Sequence, residues 1–513
     1  MPDTGKAQRR GGRAARLARR QAADEVLAPR FLTRNIPCYD LLREEELARI
    51  EDHADWILQE VGIEFWGDDE SIALFKSAGV SVDGKRLRFD KGHIQTLCST
   101  APKEFEMLAR NPDKSTVFGG NRLIFGPAYG PPFVYDLKGG RRQGSIQDFQ
   151  NFVKLTYMTP WLHHQSGTIC EPTDIAVNKR HLDMVYAHLK YSDKPFMGSV
   201  TAPDRAQDSI EMAKIVFGED IMENNCVIQG NINVNSPLIY DDMMSGALKV
   251  YARANQGTVI SPFILGGAMS PVTMPGAIAQ AHAETLVGIA LTQLVRKGAP
   301  VVYGNFLTTM DLKSGAPTFG TPESTLAGMA VGQLARRLGL PFRCGGHYTA
   351  SKVTDAQAMQ ESADSMLSGF LSGANFIHQS AGWLEGGLVI GYEKFILDAD
   401  RLGTLHRTAK GMTIDENTLA SAAFTEIEPG ENFLGTEHTG ENFETANFHS
   451  DMPDNNSFEQ WSEDGSQDAE VRAYQRWTTM LDEYQPPELD PSIDEALLSF
   501  IGQKKASMED EWY

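Results

Sequence analysis

The stretch PVVYGNF (Pro300–Phe306) followed by LTTMDLKSGAPTFGTPE (Leu307–Glu323) decides the fold class, because it joins a buried strand to a polar loop. A helical pattern, ESTLAGMAVGQLARRLG, comes next and ends at Gly339, a residue typical of helix termini. The apolar run PFRCGG then begins a second strand at Pro341. The stretch therefore predicts a strand–loop–helix–strand unit of the kind found in parallel sheets.

This unit recurs along the chain. Strand-like runs begin near His163, Pro195, Val227, Val259, Val301, Pro341 and Asn375. Their starts lie roughly 32 to 42 residues apart, which is room for one strand, one helix and two loops. With a strand in NRLIFGPAYGPPFVYD, they make eight. The pattern favours a (β/α)8 barrel, an α/β fold, over an open doubly wound sheet, which usually has a glycine-rich phosphate turn.

The chain divides into four predicted parts. Residues 1–30 form a basic arm, and residues 31–115 form a helical segment in which LLREEELARIEDHADWILQEVGIEF has helical apolar spacing. The barrel occupies residues 116–400. Residues 401–513 form an extension of loops and helices that packs on the barrel, including an acidic stretch rich in Asn and Gly.

Composition limits the binding partners that can be expected and indicates the cellular compartment. A net charge of −21 over 513 residues argues against nucleic acid and anionic membranes as partners. No apolar run of 18 residues predicts a membrane span. The five cysteines form no CxxC pair, so neither a disulfide framework nor a zinc site is predicted, and a cytoplasmic location is expected. The basic arm and the acidic body together favour a homo-oligomer.

Familiar catalytic patterns are missing from the sequence. His163 and His164 precede a strand, and His282-Ala-Glu284 resembles the HxE of zinc deaminases without their PCxxC. No GxSxG, HExxH, Walker loop or GxGxxG occurs. The sequence therefore assigns no catalytic residue with certainty and no metal ligand.

The loops at the carboxyl ends of the predicted strands contain hydroxyls, amides and aromatic rings. Such a cavity suits a cation without hydrogen-bond donors, because aromatic faces attract a quaternary ammonium. The rings that could line it are Tyr129, Tyr303, Phe306, Phe319 and Trp383, although each could equally fill the core. Lys352, in HYTASKVTDAQ, leaves a Schiff-base lyase or aldolase open as an alternative.

Several motifs in the same order carry a family resemblance. They are RRGGRAARLARR, ILGGAMSPVT, DLKSGAPTFGTPE, QLARRLGLPFRCGGHYTASKVTDAQAMQES, YEKFILDAD and ENFLGTEHT. On the basis of these motifs, residues 9–498 resemble the trimethylamine methyltransferase superfamily of corrinoid-dependent enzymes. The resemblance implies a (β/α)8 barrel that moves a methyl group from a methylated amine to Co(I) of a separate corrinoid protein. It implies no cofactor bound tightly to this chain.

The resemblance also bears on the substrate. Trimethylamine enzymes of the superfamily carry pyrrolysine in the barrel, at a place that aligns near Tyr348, where this chain has standard residues. Members without pyrrolysine look like quaternary-amine demethylases, so a betaine is the expected substrate. Trimethylamine demethylation by the same route and a non-catalytic osmolyte-binding protein remain alternatives.

Further residues are expected at the substrate. Thr309 would offer an oxygen to the cation, and Asp311 or Glu323 could offset its charge, although helix capping by Thr321–Glu323 is also open. The carboxylate of a betaine needs a donor. The sequence favours His347 and His438 for this role over Lys352 and Arg343.

Overall fold

The computed structural model describes residues 29–512, and its centre is a sheet of parallel strands. Across the sheet, the strands follow in the order Leu32–Thr33, Arg122–Phe125, Phe376–His378, Phe342–Gly345, Val301–Gly304, Gly257–Ile260, Ile228–Ile232 and Phe196–Met197. The first of them is antiparallel to its neighbour, and the other seven are parallel to one another. The order places the first and last parallel strands of the chain side by side.

The predicted run at His163 forms backbone hydrogen bonds to both outer parallel strands. His163 and His164 donate their backbone N–H groups to the Phe125 carbonyl at 3.0 and 3.1 Å. The backbone N–H of Met197 donates to the Ser166 carbonyl at 2.8 Å. Six of the seven predicted runs are therefore confirmed as strands. The run at His163 is instead a hydrogen-bonded segment without regular strand geometry.

Two of the predicted runs divide into two strands. Gly257–Ile260 is followed by Phe263–Gly266, and Val301–Gly304 by Phe306–Met310. The two later strands pair in parallel, and Pro317–Thr318 folds back on Phe306–Met310 as a hairpin. The prediction that a loop begins at Leu307 is therefore wrong, since β-branched threonines extend the strand.

Helices cover the sheet, and one of them is enclosed on all sides. They are Ile146–Met158, Arg180–Tyr191, Pro203–Phe217, Glu219–Asn224, Asp242–Arg253, Met274–Val295, Pro322–Leu338, Ala356–Leu371 and Tyr392–Ala409. Met274–Val295 is buried continuously over residues 277–293. It lies between the sheet and the N-terminal helices Glu44–Trp56 and His93–Cys98, which explains why it is apolar all round.

The N-terminal segment mixes helices and strands. The helix predicted through Phe65 runs as Glu44–Trp56 and a π-helical turn, Ile57–Val61, and it stops at Gly62, whose φ is 80°. The strand Ile63–Trp66 follows, so the helical prediction is wrong beyond Val61. The remaining elements before the first parallel strand are Asp69–Ser77, Ser81–Asp83, Arg86–Arg88, Glu104–Met107, Pro112–Lys114 and Thr116–Gly119. The basic arm predicted at residues 1–30 lies outside the described residues except for Pro29 and Arg30.

Smaller strands and the C-terminal helices complete the chain. The strands are Phe133–Asp136, Gly140–Gln143, Ile239–Asp241, Trp383–Leu384 and Val389–Gly391, with a 3-10 turn at Glu385–Gly387. The helices are Glu416–Leu419, Ser421–Thr425, Glu437–Asn442, Phe458–Glu463, Ala469–Glu483 and Pro491–Ala506. Trp477 joins this extension to the helix Tyr392–Ala409, because its indole N–H donates to Glu393 at 2.9 Å.

A buried carboxyl on the enclosed helix holds a neighbouring loop. Glu284 accepts hydrogen bonds from the Ser236 hydroxyl at 2.5 Å, the Leu238 backbone N–H at 2.8 Å and the Gln280 amide at 2.9 Å. Burial raises the pKa of Glu284 to about 7, and these hydrogen bonds only partly oppose the rise.

This carboxyl predicts a stability that falls with pH. Between about pH 4.5 and 7 the folded state keeps a proton on Glu284 that the unfolded state has released, so stability drops as pH rises, by up to about 3 kcal/mol. Glu284→Gln keeps one of the two acceptor oxygens and does not titrate. We therefore expect the melting temperature of the variant, relative to the unmodified protein, to rise between pH 5 and pH 8. The exposed control Glu495→Gln should show no such trend, and a pH-independent difference for Glu284→Gln would contradict the prediction.

Candidate active site

Four aromatic rings form one cluster just beyond the carboxyl ends of the parallel strands. They belong to Phe306, Phe319, Tyr348 and Trp383. Every pair is in contact, with centroid separations from 4.9 Å for Tyr348–Trp383 to 6.1 Å for Phe306–Phe319. Phe319 and Trp383 are 3% and 4% exposed, while Phe306 and Tyr348 are partly open. Grouped ring faces of this kind attract a cation.

Glycines make room for two of the rings. A Cβ atom on Gly345 would lie 1.6 Å from the Tyr348 hydroxyl oxygen. One on Gly387 would lie 2.4 Å from the Trp383 ring. Because no side chain fits at either position, the two glycines fix where the rings of Tyr348 and Trp383 can lie.

The strand that ends at Gly345 also carries a buried guanidinium. Arg343 is 1% exposed, and its Nη1 donates to the Ser261 hydroxyl at 3.0 Å and to the Asn305 carbonyl at 2.8 Å. Its Nη2 donates to the Gln379 side-chain oxygen at 2.8 Å and lies 3.3 Å from Nδ1 of His378. All four partners are neutral oxygens or an imidazole nitrogen.

Burial keeps the ring of the neighbouring His378 neutral. Burial, with a smaller contribution from the Arg343 charge, lowers the pKa of His378 well below its usual value. Since Nδ1 accepts from Arg343, the ring proton is assigned to Nε2, which donates to the Ser166 hydroxyl at 2.5 Å. The Tyr129 ring packs against this imidazole at 5.1 Å.

Two of these contacting residues have strained backbone. Ser166 has a φ of 65° and Gln379 a φ of 54°, in the left-handed region that side chains disfavour. Backbone hydrogen bonds hold both: the Ser166 carbonyl accepts from Met197, and the Gln379 carbonyl accepts from His347 at 3.0 Å. Strain that the surroundings hold in place is typical of functional sites.

Three buried polar atoms beside the cluster lack a hydrogen-bond partner among residues 29–512. They are Nε of Arg343, the side-chain oxygen of Asn305 and the indole nitrogen of Trp383. Folded proteins leave few buried polar atoms unpaired. The Arg343 guanidinium and the Trp383 ring lie 5.7 and 6.0 Å from the centre of the Phe306 ring, and Asn305 precedes Phe306. A ligand bound beside Phe306 could therefore pair with these atoms.

The loop residues proposed for the site have local contacts instead. The hydroxyls of Thr309 and Thr318 lie 2.5 Å apart across the hairpin. Asp311 accepts from the Lys313 backbone and the Ser314 hydroxyl in its turn, and these bonds lower the pKa of Asp311. Glu323 is exposed in the first turn of Pro322–Leu338, but the Thr321 hydroxyl at the N-cap makes no hydrogen bond to the helix backbone, so the expected capping by this hydroxyl is not observed.

Lys352 and His438 also make local contacts. Lys352 is exposed, and its ammonium donates to the Ala350 carbonyl at 2.9 Å. A Schiff-base lysine normally needs a desolvated site to lose its proton, so the basis for a lyase or aldolase is removed. His438 lies in the C-terminal extension, where Nε2 donates to the Asn417 carbonyl at 2.8 Å.

His347 lies behind the cluster without a charge. It is fully buried, and its Nδ1 donates to the Ser380 carbonyl at 2.6 Å. Burial lowers the pKa of His347 to about 4, although Asp398, with an oxygen 3.5 Å from Nδ1, opposes the shift. At neutral pH this imidazole therefore cannot supply a positive charge to a carboxylate.

Sequence reasoning gave low weight to Arg343 and missed Ser166, His378 and Gln379. Each follows or closes a predicted strand, in the runs HHQSGTI, PFRCGG and NFIHQSAG. The available signal was position alone, because functional groups gather at the carboxyl ends of parallel strands.

Other kinds of site are not found in the described residues. Residues 29–512 contain no group of three or more His, Cys, Asp or Glu side chains that could hold a metal ion. The five cysteines are free thiols, and all except Cys38 are buried. None of the helices that the structure describes is long and apolar enough to cross a membrane.

Comparison with known proteins identifies relatives over nearly the whole chain. A glycine betaine methyltransferase from Desulfitobacterium hafniense is 38% identical over 93% of this chain and 99% of its own. The trimethylamine methyltransferase MttB of the same species is 27% identical over 91% of this chain and 94% of its own. A proline betaine:corrinoid methyltransferase from Eubacterium limosum is 28% identical over 70% of this chain and 76% of its own. Residues 9–509 match the family described as Trimethylamine methyltransferase (MTTB). The chain belongs to this family.

Proposed function

We propose that this chain transfers a methyl group from a quaternary amine of the betaine type to the Co(I) corrinoid of a separate protein. The observation that carries the proposal is the cluster of Phe306, Phe319, Tyr348 and Trp383, which suits a quaternary ammonium. The 38% identity to a glycine betaine methyltransferase supports the same substrate class.

The chemistry of this site agrees with such a substrate. The partner's corrinoid supplies a strong nucleophile that accepts the methyl group. A tertiary amine then leaves as a neutral molecule, so no general acid has to protonate it. His347 and His378 are both uncharged because burial depresses their pKa values. The residues of this chain therefore act mainly by binding and orienting the amine, which can supply several kcal/mol of the barrier.

We also infer that the central sheet closes into an eight-stranded (β/α)8 barrel. The pairing of Arg122–Phe125 with Phe376–His378 supports closure on one side. Residues 163–166, hydrogen-bonded to Phe125 and to Met197, would take the place of the eighth strand. The four rings and Arg343 would then lie at the mouth formed by the carboxyl ends of the strands.

The proposed activity predicts methylation of a reduced corrinoid. We expect glycine betaine or a related quaternary amine to methylate Co(I) cobalamin or a cognate corrinoid protein, followed by the visible spectrum, and trimethylamine to react more slowly. Lys352→Ala should keep kcat/KM within about twofold, because its exposed ammonium is outside the cluster. Inactivity with quaternary amines and each corrinoid acceptor would contradict the proposal.

A matched pair at Tyr348 tests the aromatic cluster. Tyr348→Phe keeps the ring, whereas Tyr348→Leu removes it from the cluster that Tyr348 forms with Phe306, Phe319 and Trp383. A desolvated cation–π contact contributes about 1–2 kcal/mol, so we expect kcat/KM to fall about tenfold for Tyr348→Leu. Steady-state kinetics should show Tyr348→Phe within about threefold of the unmodified enzyme. Equal losses in both variants would assign the effect to the hydroxyl instead.

A glycine substitution tests the position of the same ring. Gly345→Ala places a Cβ atom where the Tyr348 hydroxyl lies, so the ring must move out of the cluster. We expect kcat/KM to fall by about tenfold or more, while the variant stays folded by circular dichroism. The control Gly502→Ala meets no atom within 4 Å and should be unchanged. Full activity in Gly345→Ala would show that the ring position is unimportant.

A further inference from the structure

The buried charge of Arg343 has no opposite charge beside it. Within residues 29–512 it forms no ion pair with an Asp or Glu, and its four hydrogen-bond partners are neutral. Two other buried cations are paired: Lys394 lies 2.5 Å from Asp398, and Lys249 lies 2.5 Å from Asp68. Lys194 is not, since its ammonium donates to the backbone carbonyls of Thr156, Thr159 and Leu162. A buried charge without an opposite charge beside it is costly, so a ligand that supplied one would be stabilised there.

Charge alone does not make Arg343 a ligand site. Arg34 is also buried, also has an unpaired Nε, and donates its Nη2 to the Ala374 carbonyl. Arg343 differs by its neighbours. Its guanidinium carbon is 5.7 Å from the centre of the Phe306 ring, and the Trp383 ring is 6.0 Å from that same ring.

The atoms without partners around Phe306 define what the ligand must offer. Nε of Arg343 and the indole nitrogen of Trp383 both carry a proton and both lack an acceptor in the described residues. Two buried N–H donors beside a positive charge suit a group with two acceptor oxygens and a negative charge. A carboxylate fits that description, and a guanidinium can bind one with charge-assisted hydrogen bonds.

We propose that Arg343, with the indole N–H of Trp383, binds the carboxylate of the substrate and thereby selects zwitterionic quaternary amines. This inference rests on the proposed function and names its substrate class more closely. The ammonium group lies against the rings of Phe306, Phe319 and Tyr348, and the carboxylate lies on the Arg343 side of Phe306.

The dimensions favour a carboxylate close to the ammonium. In an α-betaine the carboxylate carbon is about 2.5 Å from the nitrogen, because the two intervening bonds are about 1.5 Å long. Arg343 lies 5.7 Å from the Phe306 ring centre, so one small molecule can contact the ring and the guanidinium together. In a betaine with a longer chain between nitrogen and carboxylate, either the ammonium would lie farther from the ring or the carboxylate farther from the guanidinium.

Arg343 also disfavours cations that lack a carboxylate. A bare quaternary ammonium at the rings would place two positive charges close together in a buried site, where they repel strongly. The carboxylate of a betaine lies between the two charges and neutralises one of them. Specificity therefore comes from repulsion of the wrong ligand as well as attraction of the right one.

A purely structural role for Arg343 makes a different prediction. The residue links Ser261, Asn305 and Gln379, which follow three separate strands of the sheet. If it only tied these strands together, its replacement would weaken the binding of every ligand alike. If it binds the carboxylate, its replacement changes the preference between ligands.

Direct binding measurements separate the two roles without a corrinoid. Isothermal titration calorimetry of the full chain with glycine betaine and with tetramethylammonium should give about 100-fold tighter binding of glycine betaine. Arg343→Gln should weaken glycine betaine by about 30-fold or more and leave tetramethylammonium unchanged or tighter. Arg343→Lys, which keeps the charge but loses the planar fork, should retain part of the preference. Arg34→Gln is the matched control for loss of a buried guanidinium and should keep the preference.

Each other outcome either supports or overturns the proposed carboxylate site. Equal affinity of the unmodified protein for the two ligands overturns the proposal even if Arg343→Gln does not fold. Equal weakening of both ligands in Arg343→Gln assigns the residue to structure and also overturns it. Selective binding of glycine betaine without methyl transfer would support the carboxylate site while refuting the proposed activity. Equal rates with tetramethylammonium and glycine betaine would refute the carboxylate site while leaving the activity in place.

Discussion

The rest of the structure depends on one constraint, that short parallel strands must be buried on both faces. The strands Val301–Gly304 and Phe342–Gly345 have no exposed residue, since helices cover the sheet from outside. Parallel strands also end at the same edge, so the residues that follow them come together although they are distant in sequence. Phe306, Tyr348 and Trp383 meet in this way. The site is a consequence of the sheet rather than of any one loop.

This constraint explains how much of the fold could be predicted. The regular spacing of apolar runs follows from one strand and one helix per unit, so strand positions were predictable from Pro195 onward, although the run at His163 is not a regular strand. The predictions of two element boundaries were wrong because these boundaries depend on tertiary contacts. The hairpin Phe306–Met310 with Pro317–Thr318 needs the neighbouring strand Phe263–Gly266, and the helix end at Gly62 needs a strand partner at Arg86–Arg88.

The site was predictable only in its aromatic part. Rings in glycine- and proline-rich loops are visible in a sequence, and Phe306, Phe319 and Trp383, which it singled out, lie together in the structure. Tyr303 does not join them, because its buried hydroxyl lies 2.9 Å from Nδ1 of His282. That the clustered rings bind the substrate stays a prediction. Arg343 and His378 lie in strands buried on both faces, where polar and apolar residues need not alternate. A sequence of this kind does not tell which neighbour points toward the ligand. His347 was favoured as a donor to the substrate carboxylate. Burial lowers its pKa to about 4, so the imidazole carries no positive charge at neutral pH.

The charges in the site follow from the same burial. Burial makes the imidazoles of His347 and His378 neutral, but a guanidinium keeps its proton at any pH a protein tolerates. Arg343 is therefore the group beside the rings that is positive at neutral pH. Methyl transfer from a quaternary amine requires no proton, so a site with fixed charge and no titrating acid is sufficient for it. In the proposed complex the N-methyl groups contact the ring faces, because they surround the nitrogen and share its positive charge, while the carboxylate contacts Arg343. The methyl group to be transferred is the part of the substrate that has to remain uncovered.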